Sequence, residues 1–183
     1  MTDDLQQRLD DLLRRLRTSY DGIGHSSGRP YVYFVYPPEQ ERTMQRMAGE
    51  QMSNVATLCF HHIDLLALTI QNLAGQEERR QQLLNDPRRR EGAAEAILRL
   101  WVRAVSRDIS TRLERPQQEG RPVIVLRGLA ALHPLGNPTA LMEFLAEQEP
   151  RNPSTNTIVP VVLLIRRSAR PSLRRFKNVS NPL

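Results

Sequence analysis

Two segments of this chain each join a short apolar run to a helical pattern through an abrupt turn. That design constrains the fold more than any other feature of the sequence. In the first, Tyr31 to Tyr36 (YVYFVY) stops at Pro37-Pro38, and Glu39 and Glu41 introduce a helix carrying Met44 and Met47. In the second, Val123 to Leu126 runs into Gly128 and a loop closed by His133-Pro134. Leu141, Met142 and Leu145 then mark one face of another helix. Short runs rich in β-branched and aromatic residues read as strands, and acidic residues favour the positive end of the helix that follows. Units of this kind belong to parallel sheets, whose ligand sites lie at the carboxyl ends of the strands.

The remaining pattern fits the same plan. Leu5, Leu9, Leu12, Leu13 and Leu16 form one stripe at helical spacing, so a helix over Thr2 to Arg17, capped by Thr2, should pack on the sheet or on a partner subunit. Val55 to Phe60 is expected to be a second strand, ended by His61-His62, and Asp64 is placed to cap a helix over Leu65 to Leu73. Gln76 to Arg90 reads as a short helix and an exposed connection broken at Pro87. A long helix should follow from about Glu91 to Arg115, burying Ala94, Ile97, Leu98, Trp101, Val105, Ile109 and Leu113. The last strand is expected over Ile158 to Ile165, with Pro160 at its start or at a sheet edge. Strands alternating with helices imply an α/β fold: a mostly parallel central sheet of about four strands with helices on both faces. It would resemble a P-loop nucleotide hydrolase fold lacking the phosphate loop.

Charge divides the chain in two. The net charge is +6, from 26 basic and 20 acidic residues. Six of the basic residues (Arg166, Arg167, Arg170, Arg174, Arg175 and Lys177) fall after Ile165, where there is no acid, so the body is neutral, 20 against 20. We therefore expect one domain over residues 1–165 and a basic tail over 166–183. Arginine forks match phosphates, so the tail is the candidate for non-specific contact with DNA; a solvated, partly disordered end and docking on an acidic protein surface are the other readings. No apolar run is long enough to cross a bilayer, and no charged-then-apolar leader opens the sequence. The single cysteine, Cys59, excludes a disulfide framework. A cytoplasmic protein is expected.

Catalytic chemistry finds little support. A phosphate cradle needs backbone amides from a glycine-rich turn and a lysine. After the first strand this chain offers Pro37-Pro38-Glu39-Gln40-Glu41, and its only lysine is Lys177. His61, His62 and Asp64, joined by His133 if the strand ends are adjacent, form the densest set of metal-ligand types, and a metal-dependent hydrolase is the alternative they leave open. Neighbouring strand residues point to opposite faces, so only one of His61 and His62 can serve a given site. Cys59, inside Leu58-Cys59-Phe60, reads as a small buried hydrophobe, and Trp101 as core. No cofactor is implied.

Taken in order, the helix LQQRLDDLLRRLR, the strand YVYFVYPPEQE, the helix after HHIDLL, the segment VIVLRGLAALHPLGNPTALMEFL and the strand VPVVLLI resemble the BrxB family, small accessory proteins of BREX bacteriophage-exclusion systems. The likeness runs from Leu5 to Ile165. At the point where such proteins continue into a Pro-Gly turn, this chain has Arg166-Arg167. The resemblance implies a non-enzymatic adaptor working with a PglZ-like phosphatase-fold protein, the BrxC ATPase and the PglX methyltransferase, with no catalytic residues to carry over. Tyr36, Pro37, Pro38, Gly128, His133 and Pro134 are the candidate partner contacts, expected to meet at one edge of the sheet.

Overall fold

The computed structural model describes residues 2–23, 30–55, 57–75, 77–88, 90–115, 120–132, 138–146 and 149–167. Its elements are, in order, α1 (Thr2–Thr18), β1 (Tyr31–Tyr36), a 3₁₀ turn (Pro38–Gln40), α2 (Glu41–Gln51), β2 (Leu58–Asp64), α3 (Leu65–Leu73) and α4 (Glu77–Asn85). There follow α5 (Arg90–Glu114), β3 (Arg121–Arg127), a second 3₁₀ turn (Leu129–Leu132), α6 (Pro138–Ala146) and β4 (Val161–Arg166). The strands form one all-parallel sheet in the order β1-β4-β3-β2. The α/β reading of the sequence holds.

That order explains how the helices divide between the faces. The chain steps from β1 to the far edge at β2, then returns through β3 to β4. Parallel crossovers are right-handed, so the two directions of travel send their helices to opposite faces. The core is split accordingly. On one face the leucines of α1 and Met44, Met47 and Ala48 of α2 pack on Phe34, Phe60, Val123, Val125 and Val162. On the other, α3, α5 and α6 cover Ile63, Ile124, Leu126, Val161 and Leu163. The α1 stripe (Leu5, Leu9, Leu12, Leu13, Leu16) therefore lies on the sheet, each buried leucine contributing about 1.5–3 kcal/mol relative to exposure. Ile97, Leu98, Trp101, Val105, Ile109 and Leu113 make the buried side of α5, as their spacing predicts. Among the described residues no helix is long and apolar enough to cross a membrane.

Several boundaries differ from the expected ones, each for a local reason. Thr2 is the first residue of α1, not a cap preceding it. β2 begins at Leu58, because Val55 is spent on a tight antiparallel bridge to Leu58. The strand then continues through His61 and His62 to Asp64. The histidines do not end it: each imidazole has a partner that makes its partial burial tolerable. β3 is longer than Val123 to Leu126 and contains Pro122. Ile124 N–H donates to the Pro160 carbonyl, so even-numbered residues of β3 face β4. Pro122 faces the same way but stands before β4 begins, where no ladder bond is lost. Likewise β4 starts at Val161, just after Pro160, and Ile158 makes only an isolated bridge to Arg151. Arg166 is the last residue of β4, paired with Tyr36, so the tail begins later than expected.

Candidate functional site

In an all-parallel sheet every strand ends on one edge, and here that edge gathers Tyr36-Pro37 of β1, Arg166 of β4, Arg127-Gly128 of β3 and Asp64 of β2. The ends of β1 and β3 are two strand spacings apart, about 10 Å. The two strand–loop–helix units do share an edge, with β4 between them.

Asp64 organises the β2–β3 half of this edge. Its Oδ1 accepts hydrogen bonds from Leu66 N at 3.0 Å and Ala67 N at 3.1 Å, capping α3 as the sequence predicts. Arg127, its register partner on β3, brings Nε to 3.4 Å from Asp64 Oδ2. Gly128 then turns the chain at φ +71°, and a Cβ there would stand 2.9 Å from Asp64 Oδ1 and 3.2 Å from Leu66 N. The positive end of α3 is thus filled by a carboxylate of the chain itself. At β1, Gln40 N–H returns to the Pro37 carbonyl, and Tyr36 donates its phenol proton to Glu41 Oε2 at 3.1 Å. Burial, with Glu41 alongside, pushes the Tyr36 phenol well above its usual range, so it stays a donor. Among the described residues neither loop presents the amide-lined cradle that a phosphate needs.

The metal-ligand candidates separate as strand alternation requires. His62 donates Nε2–H to the Met52 carbonyl at 2.8 Å, on the α1–α2 face. His61 lies on the opposite face, with Nε2 3.6 Å from Cys59 Sγ. Burial lowers both imidazole pKa values, helped at His61 by Arg112, His62 and Arg115. The Cys59 thiol is buried and pushed upward by desolvation, so the Cys59–His61 pair rests in its neutral form. Among the described residues no three His, Cys, Asp or Glu side chains converge on a point that could hold an ion. His133 lies outside the described residues.

The expected partner contacts fare unequally. Tyr36 is 2% exposed and belongs to the core, so its side chain is no contact surface. Pro37, Pro38 and Gly128 are partly exposed, and Pro134 lies outside the described residues, as do Arg170, Arg174, Arg175 and Lys177 of the tail. Arg166 and Arg167 are exposed at the carboxyl edge. What the sequence reading missed is the outer side of α3. Leu66 and Ile70, one helical turn apart, are 53% and 64% exposed, while Leu65 and Leu68 pack inward. The signal was present in LLALTIQNL, which is apolar all round where a surface helix needs only one apolar stripe. Searches of protein-family models, of curated proteins and of solved structures find no match to this chain.

Proposed function

We propose that this protein is a non-enzymatic adaptor of a BREX-type phage-defence complex, and that its partner is a PglZ-like phosphatase-fold protein. The observation that carries the reading is the exposed Leu66–Ile70 pair on α3, beside the Gly128 turn at the edge where α/β proteins place their binding sites. Two large side chains one turn apart are the anchors a partner helix or groove would bury. The chemistry of the same edge supports it from the other side: among the described residues, the first amides of α3 are capped by Asp64, and prolines stand where β1 ends. The resemblance to the BrxB family supplies the identity of the partner, and with it the BrxC ATPase and the PglX methyltransferase as further members of the assembly.

The test is co-purification of this chain with a co-expressed PglZ-like protein. The pair L66D and I70D should abolish capture while leaving the thermal midpoint within a few degrees, because both side chains already face solvent. Full capture by the double variant would move the contact elsewhere. Elution of the wild-type chain alone, with the partner present and folded, would remove the adaptor reading.

A further inference from the structure

A cavity of about 230 Å³ lies at the edge of the sheet opposite Asp64 and Gly128, where Tyr31 opens β1 and Val161 opens β4. The C-terminal part of α5 forms one wall, and the segment from Glu149 to Pro153 borders another. Ile109, Leu113, Leu145 and Val161 make most of the lining apolar. An apolar cavity of about 150 Å³ holds benzene, so this one has room for a ring and a short arm.

Three polar residues of α5 line the same cavity at i, i+4 and i+8: Ser106, Ser110 and Glu114. They run beside the stripe that buries Val105, Ile109 and Leu113. Ser106 is the informative one. A serine or threonine inside a helix commonly returns its hydroxyl to the carbonyl four residues back, as Thr18 does to Arg14 and Thr69 to Leu65. The Ser106 Oγ does not: it is buried and makes no hydrogen bond among the described residues. A buried hydroxyl without a partner costs stability, and an alanine at this position would avoid that cost. The charges of the lining are also unequal. Arg151 is spent within its own loop, on Glu149 at 2.7 Å and on the Asn156 carbonyl at 3.0 Å. Glu114 makes no ion pair among the described residues, and its α5 neighbours Arg107 and Arg115 are exposed and do not line the cavity. One carboxylate is left over.

The geometry points to a small-molecule site here, for an arylalkylamine that carries a hydroxyl on its ring. The ring lies between Leu113, Leu145 and Val161, its hydroxyl meets Ser106 Oγ, and its ammonium meets the Glu114 carboxylate. Apolar walls with a few placed polar groups are the usual composition of such sites. Ser106 and Glu114 are eight residues apart, about 12 Å along the helix axis, and the reach of the two side chains shortens that span to the length of one ring with a two-carbon arm. Ser106 can donate or accept, so it takes a phenol in either sense, whereas Glu114 only accepts and requires a donor. The unpaired carboxylate therefore selects an amine over an acid of the same shape. The site is independent of the exposed α3 side chains at the opposite edge.

Calorimetric titration of the full chain with tyramine, the simplest amine of this class, tests the assignment. Binding should have a Kd of about 1 mM or tighter. Phenethylamine, which lacks the ring hydroxyl, should bind more weakly, and 3-(4-hydroxyphenyl)propionate, a carboxylate in place of the ammonium, more weakly still. Ser106→Ala should weaken tyramine about three- to tenfold while leaving the urea midpoint of the free chain unchanged or higher, since no bond of the fold is lost. Glu114→Gln, at an exposed position that the fold does not need, should weaken it about two- to fivefold. No heat of binding at ten times the expected Kd overturns the proposal. So does a tyramine affinity indifferent to both substitutions, or a propionate that binds as tightly as the amine. A Ser106→Ala chain of clearly lower stability also overturns it, because the hydroxyl would then serve the fold.

Discussion

The phenol of Tyr20 donates a hydrogen bond of 2.5 Å to the carbonyl of Pro122, joining the turn after α1 to the first residues of β3 across 102 positions. The bond answers a need created by the sheet. Pro122 faces β4 but stands before its start, so its carbonyl has no strand to bond. Arg121 reinforces the contact, its guanidinium 3.8 Å above the Tyr20 ring and paired with Asp21. Burial foremost, opposed by Arg121, holds the phenol far above its usual pKa, so it remains protonated.

Tyr20→Phe should therefore destabilise the fold by about 1–3 kcal/mol, the cost of leaving a buried carbonyl unpaired, with little change in packing. Urea denaturation measures it. A loss below a few tenths of a kcal/mol would mean that water replaces the phenol at Pro122.

Gly128→Ala should cost about 2 kcal/mol or more. A side chain at φ +71° is strained, and its Cβ would press on Asp64 Oδ1 and on Leu66 N, the two halves of the α3 cap. The loss should appear in the thermal midpoint. It should be smaller when Asp64 is already alanine, since the clash with Oδ1 is then gone and the backbone strain and the contact with Leu66 N remain.

These two positions show what could be read in the sequence and what could not. The Asp64 cap was legible because a cap is local: an aspartate directly before LLAL. The stripe of α1 was legible for the same reason, as was Trp101 in the core. The extent of β2 was not. His61 and His62 stay within the strand only because the Met52 carbonyl and Cys59 Sγ partner them, and the Met52 contact depends on how the chain returns from α2. Pro122 inside β3 is tolerated only because β4 starts after it. The exposure of Tyr33 is a consequence of strand order, since YVYFVY reads as a buried run until β1 is known to be an edge. Tyr36 reads as a contact residue because it borders the loop, yet parity sends it into the α1–α2 core.

Affinity for duplex DNA should be non-specific and reside in the basic segment from Arg166 to Lys177. Six basic groups give a log–log salt slope no steeper than about −5. A chain ending at Arg167 keeps β4 and the Arg167 N–H to Tyr36 O bond intact, and lacks four of the six charges. Its slope should be shallower by about 3 to 4 units. Equal slopes in a salt titration of the two chains would place the DNA contact in the body of the domain. No binding by either would assign the tail to a protein surface.

Stability should fall on mild acidification through His61 and His62. Burial is the largest cause at both and holds their folded pKa values below the ordinary 6.5; at His62 the bond to Met52 opposes it and Arg127 and Arg112 add to it. The unfolded chain therefore binds protons first as the pH drops. Stability from the neutral imidazoles is complete above about pH 6.5 and declines below it, towards the lowered folded values. His62→Gln keeps a donor for the Met52 carbonyl but cannot titrate. Urea midpoints between about pH 5 and pH 7.5 should then fall less steeply for His62→Gln than for the wild type, and less steeply still when His61 is also replaced. Carboxylates titrate equally in all three chains and cancel in the comparison. Parallel profiles would mean that the imidazoles charge without cost, and that the strand around them opens to water.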